Sequence, residues 1–148
     1  MKEQIVPYSK DQSGKKQQIA RMFDDIAGSY DFLNHFLSLG IDITWRRKVV
    51  KKIAPYQPKT ILDIATGTGD LAIDLARLNP ERIIGSDIAE KMLAKGRSKI
   101  SKKGLSQLIT LEYGDSENLT YPDEAFDAIT AAFGVRNFEH LDAGLAEM

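Results

Sequence analysis

The sequence predicts an α/β protein: a parallel sheet of about four strands, preceded by N-terminal helices. Two observations carry this. After Pro58, short apolar runs alternate with helical stretches, the grammar of a parallel sheet with crossover helices. Before it, residues 17–39 place apolar side chains at three- and four-residue steps, the period of an amphipathic helix.

Composition sets the outer limits. A chain of 148 residues, 43% hydrophobic, suits one domain. With 28% charged residues, six Phe, five Tyr and one Trp, it is neither disordered nor low-complexity. The absence of Cys excludes a disulfide scaffold, a thiolate zinc site and a cysteine nucleophile. No apolar run approaches the roughly 20 residues of a membrane span, and the start MKEQIVPYSK lacks a signal peptide's apolar core. A cytoplasmic protein is expected. The net charge of −1 argues against nucleic acid as a partner. That total conceals a split: residues 1–60 carry 11 basic and 6 acidic side chains, and residues 61–148 carry 9 and 15. The basic third can face an anionic membrane surface, or be the solvated side of ordinary helices.

Residues 1–16 are polar and aperiodic apart from Ile5–Tyr8, and read as a flexible tail. Ile19, Met22, Phe23, Ile26, Tyr30, Leu33 and Leu37 then describe a long helix or helix pair, interrupted at Gly28-Ser29 and ended by Gly40. Thr44 is the expected N-cap of a further helix that stops before Pro55. Strands are predicted over 60–65, 82–87, 107–113 and 126–132, with helices over 71–78, 89–102 and from 139 onward. The chain ends inside an apolar helical run (Leu141, Leu145, Met148), and the fourth strand is left as an open edge. The expectation is therefore the front part of a longer protein, its C-terminal strands missing, prone to homo-oligomerise.

The chemistry concentrates in Ile61-Leu-Asp-Ile-Ala-Thr-Gly-Thr-Gly-Asp70. Gly67 and Gly69 sit where a strand meets a helix, so the chain turns tightly and a ligand can approach the backbone. Asp63 stands near the carboxyl end of that strand. Asp87, eighteen residues after Gly69 and at the end of the second strand, can accept hydrogen bonds from both hydroxyls of a ribose. Asp115, after the third strand, can reach an adenine amino group. Two cofactors suit this layout. Gly67-x-Gly69-x-x-Ala72 satisfies a dinucleotide pattern. Asp63, however, is unhelpful beside a pyrophosphate and suits the sulfonium and ammonium of S-adenosylmethionine. All three acids can also serve simply as helix caps and loop solvation.

The Asp63-x-x-x-Gly67-x-Gly69 core with Asp87 resembles the class I S-adenosylmethionine-dependent methyltransferases. More narrowly, Met22–Asn34, Leu37-Ser-Leu-Gly40, Trp45-Arg46, Ala65–Asp70 and Phe133-Gly-Val-Arg-Asn137 are similar to motifs of the ubiquinone/menaquinone-biosynthesis C-methyltransferases, in their demethylmenaquinone-methylating branch. The resemblance covers residues 17–148. It implies a Rossmann-like methyltransferase sheet over 58–148 that binds S-adenosylmethionine, and a helical cap over 17–57 on the substrate side. It further implies cofactor contacts at Thr68, at Asp87 to the ribose, and at Asp115 with Ser116 around the adenine. Ala65 replaces the first glycine of the general pattern, and Ala132 a serine, which forgoes a hydroxyl contact.

The activity so implied is C-methylation of a prenylated quinol, demethylmenaquinol to menaquinol, with peripheral contact at the inner face of the membrane. A phenol carbon becomes nucleophilic when its hydroxyl loses a proton. Arg136 can stabilise that phenolate and Asn137 orient the ring oxygen, although Arg136 can equally pair with a local acid such as Glu139. His140 is a candidate base or a surface residue. Tyr30 and Asp31 can line the pocket, and Met22, Phe23, Phe32, Phe36 and Trp45 can meet a prenyl tail or simply build core. No acidic or histidine cluster has metal-ligand spacing, and carbon methylation needs no metal. Three other readings stay open: a class I methyltransferase of another small metabolite, an NAD-dependent oxidoreductase, and a non-enzymatic cofactor-binding module.

Overall fold

The computed structural model describes residues 6–8 and 13–148. Of the expected tail, residues 1–5 and 9–12 lie outside the described residues, Ile5 of the apolar patch among them. Where the stretch is described it is tied down. The Tyr8 amide donates to Gln18 Oε1 at 3.0 Å and its hydroxyl to Asp25 Oδ2 at 3.1 Å.

Three helices open the fold: α1 (Lys15–Ile26), α2 (Tyr30–Leu37) and α3 (Ile41–Ile53). The first two form the expected pair, broken around Gly28-Ser29. The third corrects the expectation for Thr44, which lies inside α3 rather than capping it. The cap position belongs to Gly40, at φ 80°, a left-handed backbone that glycine adopts at little cost. Asp42 in the first turn fixes this earlier start. Buried, it accepts from Ser38 Oγ at 2.8 Å and from Arg46 Nη1, one turn on, at 2.8 Å.

The strands β1 (Thr60–Ile64), β2 (Arg82–Asp87), β3 (Ile109–Tyr113) and β4 (Ala128–Ala131) form one sheet in the order β3-β2-β1-β4, parallel throughout. Between them lie α4 (Asp70–Leu75), prolonged by a 3-10 turn to Leu78, and α5 (Glu90–Lys102). A 3-10 turn, Phe133–Asn137, and α6 (Leu141–Glu147) follow β4. The interior strands explain the unbroken apolar runs. Ile61, Leu62, Ile64 and Ile83 are wholly buried because both sheet faces are covered. The edge strand β3 instead alternates, with Ile109 and Leu111 buried and Thr110 exposed.

Ile61 and Ile83 pack with Leu71, Leu75, Leu93 and Ile100 of α4 and α5. Leu62, Ile64 and Ile84 pack with Leu119, Tyr121, Phe126 and Phe138. Truncating such a side chain, as in Leu75→Ala, costs about 2–5 kcal/mol. Of the N-terminal helices, α3 packs Val49, Val50 and Ile53 on the first of these cores, whereas α1 and α2 dock through a separate cluster, in which Phe23, Ala27 and Tyr30 meet Ala89 and Met92. Because α5 starts just past the end of β2, this docking sets α1 and α2 over the carboxyl edge of the sheet, where open α/β folds bind ligands. Among the described residues, no helix is long and apolar enough to cross a membrane.

Candidate active site

Between β1 and α4 the chain reverses through three left-handed residues, Ala65 (φ 52°), Gly67 (φ 58°) and Gly69 (φ 78°). Two of them are the glycines that the spacing singles out. The third carries a Cβ and is strained there. The loop is pinned from inside: the Thr66 amide donates to the Ser86 carbonyl at 3.0 Å, and the Gly69 amide to the Thr66 carbonyl at 2.9 Å. The result is a cavity of about 260 Å³ between the loop, the carboxyl ends of the strands and helices α1–α3.

Asp63, Gly67, Thr68, Asp87, Asp115, Ser116, Arg136 and Asn137 all line this cavity. They come from five separate stretches of chain, so the sheet has collected them. Gly69 stands outside it, as do Asp31, expected to line the pocket, and the candidate base His140. A Cβ on Gly69 would press on the Leu111 side chain at 3.3 Å, so its role is the turn and the packing of the loop against β3.

Asp63 is 1% exposed and accepts from Thr66 Oγ1 at 2.6 Å and Thr130 Oγ1 at 2.7 Å. Burial pushes its carboxyl up to about 6; the two hydroxyls pull against that and the Asp87 charge adds to it. A buried carboxyl so poised gains from an incoming cation. Asp87 accepts from the Ala89 amide at 2.9 Å and the Gly67 amide at 2.8 Å. Burial raises its carboxyl above the ordinary range, against those backbone donors. Asp115 accepts from the Glu117 amide at 3.0 Å and from Lys16 Nζ at 2.6 Å.

Thr68 spends its hydroxyl on Asp31 of α2, at 2.5 Å. Lys99 of α5 closes the node, donating to Asp31 at 2.8 Å, Thr68 at 3.0 Å and Asp70 at 2.5 Å. Burial raises the Asp31 carboxyl, but the hydrogen bonds from Lys99 and Thr68 outweigh it and hold it below the usual range. Tyr30 lines the cavity and also packs edge-on against Phe23, with ring centroids 6.1 Å apart. Its hydroxyl is raised by burial and by Asp31 and Asp87, while the Arg136 charge opposes them. Arg136 and Tyr30 both line the cavity.

Both histidines stand outside the cavity. His140 is exposed beside Glu117, 3.2 Å from Oε2, and His35 lies 3.3 Å from Asp42. Of the aromatic candidates for a prenyl tail, Phe23 and Trp45 line the cavity, whereas Phe32 and Phe36 stack on each other in the open. Sequence reasoning missed Lys16, Lys99 and the Asp42–Arg46 pair as site residues. Lys16 was visible in principle: it stands three residues before Ile19, so the helical period extends back to it.

The donor set tests which cofactor fits. Six acidic and three basic side chains line the cavity. That excess of carboxylates repels a pyrophosphate and suits a nucleoside with hydroxyls, an amino group and a cationic tail. A profile of the ubiE/COQ5 methyltransferase family matches residues 11–148.

This chain belongs to the ubiE/COQ5 methyltransferase family.

Relatives in that family agree. The chain is 54% identical over 148 residues to a demethylmenaquinone methyltransferase of Bacteroides fragilis, covering 99% of this chain and 60% of that relative. It is 45% identical over 136 residues to the ubiquinone/menaquinone biosynthesis C-methyltransferase UbiE of Geobacter sulfurreducens, covering 90% of this chain and 53% of that one. It thus spans no more than about 60% of the length of these curated relatives. Among solved structures, the [4+2]-cyclase SpnF superposes with a TM-score of 0.74 at 23% identity, over 89% of this chain and 54% of that one. A SAM-dependent methyltransferase from Aquifex aeolicus does so at 0.59 and 24%, over 69% and 55%. Those two likenesses establish the fold of this ubiE/COQ5 family member as that of a Rossmann-like sheet.

Proposed function

We propose that this protein is an S-adenosylmethionine-dependent C-methyltransferase that converts demethylmenaquinol to menaquinol. The observation that carries the reading is its 54% identity to a demethylmenaquinone methyltransferase along nearly the whole chain. The three carboxylates of one cavity support it. Bound there, S-adenosylmethionine supplies an electrophilic methyl group. Residues 58–148 hold the cofactor: Asp63 offers its carboxylate to the cationic end, Asp87 to the ribose, and Asp115 with Ser116 to the adenine, with Gly67, Thr68 and Gly69 shaping the loop. Residues 17–57 lie on the substrate side. Arg136 stabilises the phenolate formed when the quinol loses its proton, and Asn137 orients the ring oxygen. Phe23 and Trp45 give the prenylated ring an apolar wall.

The lipophilic substrate suggests where the enzyme works. Phe32, Phe36, Leu37, Leu39 and Ile41 are between 63% and 86% exposed, and exposed apolar groups gathered in this way mark interaction surfaces. The α3 face beyond Ile41 carries Lys48 and Lys51, both exposed. This pairing suits a cytoplasmic enzyme in peripheral contact with the anionic inner face of a membrane. Methyl transfer from labelled S-adenosylmethionine to demethylmenaquinol, by the full-length protein, tests the activity. Transfer to the ring is expected, with a loss of about 10²–10³-fold in Arg136→Ala. Transfer to a different phenol but not to this quinol would move the substrate assignment.

A further inference from the structure

Trp45-Arg46 belongs to the family-like motifs, yet the functions above leave Arg46 unused. Arg46 lines the cavity, and its side chain is 14% exposed. Nε donates to Asp74 Oδ2 at 2.8 Å and Nη1 to Asp42 Oδ2 at 2.8 Å. Nη2 makes no hydrogen bond to any described residue, so one edge of a fork fixed on its other two sides is open. Nor is the surrounding acid in excess. Asp42 and Asp74 are met by Arg46 itself, Asp74 also by Arg77 at 3.9 Å, and Asp70 by Lys99 at 2.5 Å.

The other two cations of the cavity lie elsewhere. Lys16 is held by Asp115 at 2.6 Å and Glu117 at 3.5 Å, at the adenine end of the proposed cofactor site. Arg136 stands on the turn after β4. A nucleoside with its ribose at Asp87 and its base at Asp115 must send its 5′ substituent the other way, past Asp63 toward the start of α4. Lys99 also stands there, 2.5 Å from Asp70, but does not line the cavity; Arg46, 3.8 Å from Asp70, is the cation that does.

We propose that Arg46 is the anchor for the α-carboxylate of the cofactor's amino-acid end, through its open Nη2 edge. The inference rests on the S-adenosylmethionine reading and adds a residue to it. Asp42 and Asp74 act as positioning residues that hold the fork in place, an arrangement in which arginine and lysine are not interchangeable.

The test is calorimetric titration of the full-length protein with S-adenosylhomocysteine and with its decarboxylated analogue, S-adenosyl-3-thiopropylamine. A cavity this acidic should favour the more cationic analogue unless a residue is matched to the carboxylate. We expect the wild type to bind S-adenosylhomocysteine about 10–100-fold more tightly, the usual worth of a charged hydrogen bond. Arg46→Lys keeps the charge that Asp42 and Asp74 need but not the third edge, so the preference should fall to about threefold or less. Binding of the analogue shows that this variant is folded. Arg136→Gln should keep the preference. Equal binding of both ligands by the wild type overturns the proposal, as does an undiminished preference in Arg46→Lys or its loss in Arg136→Gln. If neither ligand binds the wild type, the nucleoside reading itself fails, an outcome distinct from all of these.

Discussion

Ala65 and Gly134 face each other across the mouth of the sheet, so close that any side chain at 134 would collide with the Ala65 Cβ. The two residues follow β1 and β4, which pair along their length from Ile61↔Ala128 to Ile64↔Ala131. Their contact seats the turn that bears Arg136 and Asn137 against the cofactor loop. Gly134→Ala should therefore destabilise the protein by about 1–3 kcal/mol, as overpacking does. Ala65→Gly, which also relieves a left-handed φ of 52°, should restore much of the loss. Urea denaturation of the two single variants and the double variant measures the coupling, and strictly additive effects would rule the contact out as its cause.

Asp87→Ala should weaken S-adenosylhomocysteine binding by about 1–3 kcal/mol. The variant also leaves the Gly67 and Ala89 amides without their acceptor, so its melting temperature should fall as well. Calorimetric titration separates the two effects, and unchanged affinity would remove Asp87 from the site.

Asp63 and Asp31 should respond to acid in opposite directions. The Asp63 carboxyl sits at about 6 when folded, above its unfolded value near 3.9. The folded state therefore holds the extra proton, and stability declines as pH rises from about 4 to 6, by on the order of 2 kcal/mol. Asp63→Asn should abolish that decline and be the more stable protein at pH 8, while binding S-adenosylhomocysteine more weakly. Because a cationic ligand favours the carboxylate, wild-type affinity should rise with pH up to about 6, at most about tenfold per unit. Titrations from pH 5 to 8 check both signs.

Asp31 carries the reverse sign. Its folded carboxyl lies below the ordinary range, so its stabilisation is present above the unfolded value near 3.9 and is lost as pH falls through the folded one. Asp31→Asn should flatten the acid limb of the stability curve. Near neutral pH it should cost roughly 1–2 kcal/mol, allowing for the partial exposure of the node. Hydrogen exchange should quicken in α2 and in the 65–70 loop together. Faster exchange in α2 alone would mean that the node does not couple them.

Phe32→Ser with Phe36→Ser removes a stacked pair whose ring centroids are 5.8 Å apart and which touches the outside rather than the core. Co-sedimentation with anionic vesicles should fall at least about tenfold, while S-adenosylhomocysteine affinity and melting temperature hold. Unaltered sedimentation would discard the membrane-facing assignment.

What was legible in the sequence follows from range. β1 and β2 could be read because strands covered on both faces must be apolar throughout, and the Gly67–Gly69 turn because few other residues take its backbone. Asp87 and Asp115 came from their place after strands, which the parallel topology fixes. Thr44 was misplaced because the determinant of α3's start is a buried carboxylate gathering Ser38 and Arg46, and periodicity cannot see a side-chain bond. The Asp31–Thr68–Lys99 node was invisible for the same reason at longer distance: three polar residues on separate elements satisfy one another only once the fold exists. Arg46 looked like part of a solvated basic run, since nothing local marks which of several cations turns inward.

The bridge from Lys16 to Asp115, whose ends are 99 positions apart in the sequence, has a consequence for how the chain is made. Contacts of such separation form late, because loop closure precedes any reward. At roughly 5–20 residues per second, synthesis delivers Asp115 about 5–20 s after Lys16 has left the ribosomal active centre. Until Ala89 and Met92 follow, α1 and α2 lack the cluster on which they dock. The docking faces of these two helices therefore stay uncovered on the nascent chain until the start of α5 has been translated.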